Sequence, residues 1–295
     1  MIRIGIVGTE NSHAMAFAKY FNLPEEATGK VPYADIRVTA VMGSAESANA
    51  VVEKTGVETV CQTAEEMAEL VDAVMVVNQK GSVHYANAMP FVKKGMPIFV
   101  DKPFTSNVEQ SRELYSQMML HGCKVMGGSG MKYAPGIFEA KEMVDKFREE
   151  GIFVSASMNF IMIMDSDHDG IYFYAPHLVE MALAAFGWDP KAVQAVRTGK
   201  SMLVTLQYED DAVALHFNRD GLKYNTTIYT TKDYYCVDTG IDIFNVYNDY
   251  AREAGLFAEM LLGRKEPLDE KTLLRPGEVV AAIERSLQSG KLETI

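Results

Sequence analysis

Cysteine and long apolar runs are scarce in this chain, and each scarcity excludes a class of protein. Its three cysteines stand far apart and form no CxxC pair, so the sequence predicts neither a disulfide framework nor a zinc site and indicates a reducing compartment. No apolar run approaches the roughly 18 residues of a membrane-spanning helix. The first strand begins at Ile2, so we expect no cleaved leader and predict a cytoplasmic protein without a membrane partner.

Positive charge is scarce as well. The 28 Lys and Arg residues are outnumbered by 40 Asp and Glu residues, which gives a net charge of -12. Proteins that bind nucleic acid concentrate Lys and Arg on one face, and no basic run occurs in this sequence. We therefore expect no nucleic-acid partner. The length of 295 residues is enough for two domains of usual size.

Strands and helices alternate over the first part of the chain. The predicted strands are Ile2–Val7, Ile36–Met42, Val57–Cys61, Val74–Val77, Ile98–Val100 and Lys124–Met126. The predicted helices between them are His13–Phe21, Ala45–Thr55, Ala64–Leu70, His84–Lys94 and Val108–His121, and Gly95 is expected to end the fourth helix. This alternation predicts an α/β first domain over residues 1–125, a Rossmann-like doubly wound parallel sheet.

The pattern changes after Pro135. The predicted elements are helices at Gly136–Glu149 and Pro176–Phe186, a long strand at Ile152–Met164, three β-rich runs at Met202–Tyr208, Ala212–Phe217 and Tyr224–Thr231, and two closing helices at Val246–Leu262 and Pro276–Ser289. The short polar turns between the β-rich runs predict an antiparallel meander. The second domain, residues 126–295, is therefore predicted to be α+β with a mostly antiparallel open sheet.

A lysine follows the fifth predicted strand. Asp101, Lys102 and Pro103 stand at its C-terminal end, where open α/β sheets bind their ligands. The proline fixes the local backbone, so Lys102 leaves the sheet in a defined direction as an exposed strand-end side chain. An ordinary surface Lys-Pro turn would produce the same pattern, and the spacing alone leaves both interpretations open.

The first strand is followed by a glycine and a helix, the context in which a pyrophosphate rests on a helix N-terminus. The loop matches the G-x-G-x-x-G fingerprint at Gly8, whereas Glu10 and His13 replace the second and third glycines. A carboxylate about 4 Å from a pyrophosphate charge costs on the order of 1 kcal/mol in water and about 4 kcal/mol in a partly buried site. Glu10 weakens binding only if its side chain faces the phosphates.

Two further features of this region stay ambiguous. The second strand ends in Met42-Gly43-Ser44 and offers no acid for a ribose hydroxyl, so Ser44 is the candidate donor. A plain β–α turn whose helix is capped by Asn11 or Ser12 would explain the loop without a ligand.

Four motifs together resemble the Gfo/Idh/MocA oxidoreductases, NAD(P)-dependent enzymes that act mostly on sugars and polyols. The first turn, GIVGTENSHA, and the DKP at residues 101–103 are in the order and spacing of that family, whose signature is Glu-Lys-Pro. Residues 128–135 are similar to its G-F-N-R-R-F-x-P segment. Residues 170–180 are similar to its G-x-x-x-D-x-G-x-H-x-x-D helix start, with His177 in register. The resemblance covers essentially the whole chain.

The resemblance implies a dehydrogenase that moves hydride between nicotinamide and a sugar- or polyol-like substrate in a cleft between the domains. The expected residues around the cofactor, NAD or NADP, are Gly8, Thr9, Glu10, Asn11, Ser12, His13, Ser44, Asn78, His84, Asp101 and Lys102. The residues expected to bind substrate are Lys132, Tyr133, Asp167 and His168. The resemblance also implies a homo-oligomer, a dimer or tetramer that associates through the outer face of the second sheet.

Lys102 and His177 are the predicted catalytic residues. A histidine titrates near neutrality and can take the alcohol proton, and Lys102 can hold the substrate oxygen and stabilise its alkoxide character. The family's aspartate four residues before the histidine is Phe173 in this chain. A phenyl ring cannot accept a proton, so Tyr174 or Glu180 is expected to assist.

The acidic stretch at 165–170 copies the first half of a calcium loop. Pro176 stands where the bidentate glutamate of such a loop belongs, so no metal site is predicted. Two functions remain open. Lys102, Lys132 and His177 favour an oxidoreductase. Glu10, Phe173 and the missing acid after the second strand favour a redox-silent relative that binds a small ligand or a nucleotide, for regulation or as a partner subunit.

Overall fold

The computed structural model describes residues 1–219, 224–241 and 247–295. The chain divides into two compact units. Unit 1 comprises Met1–Gly128 with Tyr247–Glu270, and unit 2 comprises Ser129–Val246 with Lys271–Ile295. The boundary expected near residue 125 lies close to the end of the first segment of unit 1.

Unit 1 is built on a six-stranded parallel sheet. Its strands are β1 (Ile2–Val7), β2 (Ile36–Met42), β3 (Thr59–Val60), β4 (Ala73–Val76), β5 (Ile98–Asp101) and β6 (Val125–Gly128), in the order β3-β2-β1-β4-β5-β6. Five helices alternate with them: α1 (Ser12–Asn22), α2 (Ala45–Thr55), α3 (Ala64–Ala68), α4 (His84–Val92) and α5 (Val108–Leu120). All five strand pairs are parallel. The predicted doubly wound sheet is confirmed.

The central strands of this sheet are apolar because both of their faces are covered. Every residue of β4 and of β5 is buried. Gly95 has a φ of 68° and lies just after the end of α4. This left-handed conformation suits glycine and ends the helix as predicted.

Unit 2 contains a seven-stranded mixed sheet. Its strands are β7 (Phe153–Ile161), β8 (Ala192–Arg197), β9 (Ser201–Gln207), β10 (Ala212–Asn218), β11 (Asn225–Thr230), β12 (Tyr234–Asp238) and β13 (Glu293–Thr294), in the order β12-β11-β7-β10-β9-β8-β13. The helices of this unit are α6 (Pro135–Glu149), α7 (Ala175–Phe186) and, near the C-terminus, α9 (Glu270–Ser289), whose first residue is assigned to unit 1; α8 (Tyr247–Leu261) belongs to unit 1. The apolar sides of α6, α7 and α9 share one core with the inward side chains of the sheet. The predicted α+β class is confirmed.

The expectation that three β-rich runs form one meander was wrong. β9 and β10 pair antiparallel, but β7 lies between β10 and β11 and is hydrogen-bonded to both, parallel to β10 and antiparallel to β11. β7 carries Ala156, Met158 and Phe160 inward, which suits a central position. Short turns indicate only which strands are neighbours in sequence, and they give no information about this long-range insertion.

Helix α8 joins the core of unit 1. Ala254, Phe257 and Ala258 are fully buried in one cluster with Phe17 and Phe99, and the rings of Phe99 and Phe257 have centroids 5.9 Å apart. Val246, the predicted first residue of this helix, lies outside the described residues. α9 begins at Glu270, so the prediction that it starts at Pro276 was wrong: the helix continues through the proline.

None of the helices in the described part of the chain combines the length and the apolar character needed to cross a membrane.

Candidate active site

The loop between β1 and α1 passes directly over the end of β4. Gly8 has a φ of 104°, and a Cβ atom on it would lie 2.5 Å from the backbone nitrogen of Asn78. Only glycine fits there, because a side chain would collide with backbone that cannot move aside. The first glycine of the fingerprint therefore allows the tight turn that such loops require.

Asp101, the last residue of β5, joins this loop to the sheet. Its side chain is fully buried, and its Oδ2 lies 2.7 Å from His13 Nδ1. The same oxygen accepts a hydrogen bond from Asn11 Nδ2 (3.2 Å), which also donates to the Val77 carbonyl (2.7 Å). Oδ1 accepts from the Lys102 backbone N–H at 2.8 Å. One carboxylate thus fixes both the β1–α1 loop and the backbone of Lys102.

The pKa of Asp101 is lowered although the residue is buried. Burial by itself raises the pKa of this carboxyl, but the charge of His13 and the hydrogen bond with it, with the charges of Lys102 and His84, outweigh the burial. Asp101 is therefore a fixed anion. It orients its neighbours and holds no proton to give.

His84 and Gly81 hold the segment that carries Lys102. His84 is fully buried, with Nδ1 2.8 Å from the Pro103 carbonyl oxygen and Nε2 2.9 Å from the Asn78 carbonyl oxygen. A Cβ on Gly81 would lie 2.2 Å from Pro103 Cγ, so this turn packs directly on the proline ring. The Lys102–Pro103 peptide is cis.

Lys102 is 4% exposed. The expectation of an exposed lysine was therefore wrong, because the buried surroundings of β5 continue past the strand end and residues 101–105 are all buried.

Glu10 lies across the end of β4. Its Oε1 accepts hydrogen bonds from Asn78 Nδ2 (3.0 Å) and from the Gln79 backbone N–H (3.4 Å). Asn78 in turn accepts a bond from Asn87 Nδ2 at 2.8 Å. The residue is exposed overall, yet the carboxylate is held against the mouth of the loop.

The end of β2 presents hydroxyl groups. Thr9 Oγ1 lies 2.7 Å from Ser47 Oγ, which lies 2.8 Å from Ser44 Oγ. Ser44 caps α2 by accepting from the Ser47 N–H. A Cβ on Gly43 would lie 1.9 Å from Thr9 Oγ1, so the two turns touch.

The expected capping of α1 is also present. Asn11 Oδ1 accepts from the His13 N–H, and Ser12 Oγ lies 3.5 Å from Asn11 Oδ1 and 3.4 Å from the Tyr250 hydroxyl. The Tyr250 ring also packs on the imidazole of His13, with centroids 4.5 Å apart. His13 therefore points into unit 1 and orders the loop from within.

In unit 2 a second polar cluster forms around Ser129. The Ser129 N–H donates to both Glu180 oxygens at 2.9 Å, and Ser129 Oγ lies 2.7 Å from His177 Nδ1. Lys132 Nζ donates to Glu180 Oε2 at 2.7 Å, and both side chains are 3% exposed. His177 is half-buried, and its ring packs on Phe160 with centroids 5.6 Å apart.

This cluster gives two predicted residues surroundings that sequence reasoning did not anticipate. Glu180, expected to assist catalysis, is bonded to Lys132 and to backbone. Lys132, expected to bind substrate, lies beside this carboxylate and 5.1 Å from the centroid of the Tyr133 ring. Ser129 was missed, although it lies within residues 128–135, the segment that resembles the family, because a serine in a glycine-rich turn resembles ordinary turn chemistry.

The remaining predicted residues precede α7 in the chain. The Phe173 ring lies 4.8 Å from that of Tyr174 and 5.0 Å from that of His168, centroid to centroid. Asp167 is exposed, and Asp165 pairs with Arg197 at 2.6 Å. Within residues 1–219, 224–241 and 247–295, no three His, Cys, Asp or Glu side chains are grouped to hold a metal ion.

Comparison with known proteins identifies the class of this chain. Residues 2–129 match the model of the oxidoreductase family with an NAD-binding Rossmann fold, GFO_IDH_MocA. The predicted resemblance to the Gfo/Idh/MocA family is confirmed over this stretch of the chain. The description of that family confirms the predicted oxidoreductase class and nicotinamide-dinucleotide cofactor.

The whole chain shares its fold with solved inositol dehydrogenases. It is similar to myo-inositol dehydrogenase from Lactobacillus casei in complex with NAD(H) and myo-inositol, with a TM-score of 0.81 and 16% identity over 100% of this chain and 97% of that one. It is also similar to scyllo-inositol dehydrogenase from the same organism (TM-score 0.81, 14% identity, 100% and 99% covered). The enzyme from Corynebacterium glutamicum, a myo-inositol dehydrogenase, gives a TM-score of 0.79 at 18% identity over 100% and 99%. A comparison with curated protein sequences finds no match.

Proposed function

We propose that this chain is an NAD(P)-dependent dehydrogenase that interconverts a hydroxyl and a carbonyl group of a sugar- or polyol-like substrate. The arrangement around Lys102 is the observation that carries the proposal. Lys102 follows a buried strand end, and its backbone N–H donates to Asp101. The carbonyl oxygen of Pro103, the next residue, lies 2.8 Å from a ring nitrogen of the buried His84. A surface Lys-Pro turn has no need of a fully buried carboxylate and imidazole to hold it.

The residues of unit 1 fit a nicotinamide dinucleotide. Gly8 lets the β1–α1 loop turn tightly against the Asn78 backbone. The loop leads into the N-terminus of an 11-residue helix, the kind of position where a pyrophosphate binds. Ser44 and Thr9 offer uncharged hydroxyls at the end of β2, which accept either NAD or NADP. When bound, the cofactor supplies the nicotinamide ring that accepts or delivers hydride.

The chain's own residues supply the proton chemistry and the charge. Lys102 holds the substrate oxygen and stabilises the negative charge that develops there. His177 takes the hydroxyl proton in one direction and returns it in the other. The placement of substrate in a cleft between the domains stays a prediction.

Cofactor binding and turnover test the function directly. Titration with NADH and NADPH should give saturable changes in nucleotide fluorescence. A panel of inositols, hexoses and acyclic polyols should then show NAD(P)-dependent oxidation of at least one member. Failure of both nucleotides to saturate at millimolar concentration would refute the proposal.

Replacing Glu10 by glutamine is expected to tighten NADH binding by about fivefold or more. The carboxylate is held at the mouth of the loop by Asn78 and Gln79, and removing one negative charge about 4 Å from a phosphate regains on the order of 1 kcal/mol even in water. Glutamine keeps the side-chain length and one acceptor oxygen. The dissociation constant from fluorescence titration measures the effect.

Salt dependence and a second glutamate provide the controls for this substitution. Glu113→Gln, on the exposed side of α5, should leave binding unchanged, and added salt should shrink the difference between Glu10→Gln and the wild-type protein. Equal binding by Glu10→Gln and the wild-type protein at low salt would show that the carboxylate turns away from the phosphates.

A redox-silent relative is the second candidate function, and Phe173 favours it. The phenyl ring packs between His168 and Tyr174 at the position of the family's acid. If the missing acid limits turnover, Phe173→Asp should raise kcat for the oxidation of a polyol by about tenfold or more, within the range of general acid–base catalysis. Steady-state rates on the polyol panel measure this.

Phe173→Asn is the matched control, because it has the size of aspartate but no basic oxygen. It should not raise kcat. If the aspartate and asparagine variants behave alike, the acid is not what the site lacks.

We also propose that the chain forms a homo-oligomer through the outer face of the unit 2 sheet. The strands β7, β9 and β10 contain no Asp, Glu, Lys or Arg residue. Their outward side chains are mostly small or uncharged, namely Ser155, Ser157, Leu203, Thr205, Ala212 and Ala214. Leu203 and Val196 are 44% and 59% exposed. A broad sheet face free of charge suits packing against a second copy.

Ala214→Arg is expected to convert an oligomer into a monomer. It places a charge at the centre of this face, where association would bury it without a partner. Light scattering after size-exclusion chromatography should give a multiple of 32.7 kDa for the wild-type protein and for Glu142→Arg on the exposed side of α6, but a single chain mass for Ala214→Arg. A wild-type mass of one chain would exclude the assembly.

A further inference from the structure

The Ser129 hydroxyl is fixed independently of the histidine that it contacts. Ser129 is 1% exposed, and its N–H is bonded to both oxygens of Glu180. Glu180 is bonded in turn to Lys132, a neighbour in the same turn. The backbone of Ser129 is therefore anchored by contacts that do not involve its side chain. Its Oγ lies 2.7 Å from His177 Nδ1.

A hydroxyl has one donor hydrogen and two acceptor lone pairs. The Met131 N–H occupies one lone pair of Ser129 Oγ, at 3.3 Å. The contact with His177 Nδ1 uses either the hydrogen or the second lone pair. An unprotonated Nδ1 accepts the O–H, and a protonated Nδ1 donates to the lone pair. A hydroxyl therefore stays bonded to Nδ1 in either protonation state of that nitrogen, whereas a carboxylate could only accept.

We propose that Ser129 is a positioning residue that fixes the orientation of the His177 imidazole by staying hydrogen-bonded to its Nδ1. The inference rests on the proposed proton-transfer role of His177. To act as a base through Nε2, the ring must carry its hydrogen on Nδ1, and Ser129 Oγ accepts that N–H. When the substrate O–H breaks and an Nε2–H bond forms, the Nδ1–H bond to Ser129 persists, so the imidazolium keeps the same orientation.

The surroundings of the ring show why a hydroxyl is needed there. Packing on Phe160 restricts the ring plane but cannot select between its two nitrogens. Phe173, at the position where the resemblance leads one to expect an acid, has no hydrogen-bonding group in its side chain. Ser129 approaches from a different element, the turn after β6, and gives Nδ1 a polar partner.

The nitrogen resonances of His177 test this assignment without requiring turnover. Protein labelled with ¹⁵N-histidine reports the tautomer of each ring in long-range ¹H–¹⁵N spectra, and His177→Gln identifies the His177 signals. Ser129→Ala should shift both nitrogen signals of His177 away from their wild-type values. Ser129→Thr, which retains the hydroxyl, should return them toward those values.

Kinetics on a polyol substrate provide the second readout. Ser129→Ala should lower kcat by about tenfold, the factor that one hydrogen bond between neutral groups supplies, with KM changed by no more than about twofold. Ser129→Thr should recover most of the rate. Ser129→Cys, of similar volume but with a weak hydrogen-bonding group, should resemble the alanine variant and so separates bonding from packing if alanine destabilises the turn.

Two failures are distinguishable. Unchanged His177 nitrogen signals in both Ser129→Ala and Ser129→Cys would overturn the assignment of Ser129, whatever the activity. Absence of turnover by the wild-type protein across the panel would count against the dehydrogenase, and the nitrogen signals would still decide whether Ser129 is hydrogen-bonded to the His177 ring.

Discussion

Lys102→Met is expected to lower turnover by roughly a hundred- to a thousand-fold while the protein stays folded. The lysine is 4% exposed, and its backbone is fixed by Asp101 on one side and by the Pro103 segment on the other. Removing one preorganised donor to a developing oxyanion typically costs about 2.7–4 kcal/mol of transition-state stabilisation. Methionine has a similar length and an apolar stem, so it fills the same space.

The measurement pairs steady-state kinetics with thermal melting. Lys141→Met, which removes an exposed lysine paired with Asp145 on α6, should alter neither rate nor melting temperature appreciably. A Lys102→Met protein that unfolds, while its folded fraction retains full specific activity, would show that the lysine is structural.

Asp101→Asn is expected to destabilise unit 1 by about 3–5 kcal/mol, the usual cost of removing one partner of a buried charge pair. The carboxylate is fully buried and faces His13 Nδ1 and Asn11 Nδ2. An asparagine amide turned either way would lose one acceptor or would oppose a donor with a donor. Urea unfolding at neutral pH measures the change, and cofactor affinity should fall with it because the loop loses its anchor.

The loss should depend on pH in a defined direction. The pKa of Asp101 is lower in the folded protein than its ordinary value of about 3.9. Its contribution to the free energy of unfolding is therefore fully present above about pH 3.9 and disappears as the pH falls through the lower folded-state pKa. The difference in stability between Asp101→Asn and the wild-type protein should shrink in the same acid range.

Asp72 offers a matched control for this substitution. Its pKa is also lowered, chiefly by the hydrogen bond from Arg3, but the pair lies on the surface with side chains 42% and 46% exposed. Asp72→Asn should change stability only slightly, because water solvates and screens such a pair. Equal losses in the free energy of unfolding for the two variants would show that the buried network around Asp101 stabilises the fold no more than a surface pair does.

The first sheet could be predicted from sequence because each of its strands is an apolar run next to its helix. The second sheet could not, because the central position of β7 depends on pairing with β10 and β11, more than fifty residues away in the chain. The same limit applies to the site. Sequence placed Lys102 and Asp101 at a strand end, but the contact of Asp101 with His13 spans 88 positions and leaves no local signature.

Helix α8 determines when the apolar core of unit 1 can be completed during synthesis. Phe257 and its neighbours cover the aromatic core around Phe99 and Phe17, yet they leave the ribosome after most of unit 2 has been made. Until then, the parallel sheet has an uncovered apolar surface of the kind that chaperones bind and that promotes aggregation. The larger segment of unit 2, residues 129–246, is in effect an insertion within unit 1. The nucleotide-binding unit, first in sequence, is completed only after most of the inserted unit has been synthesised.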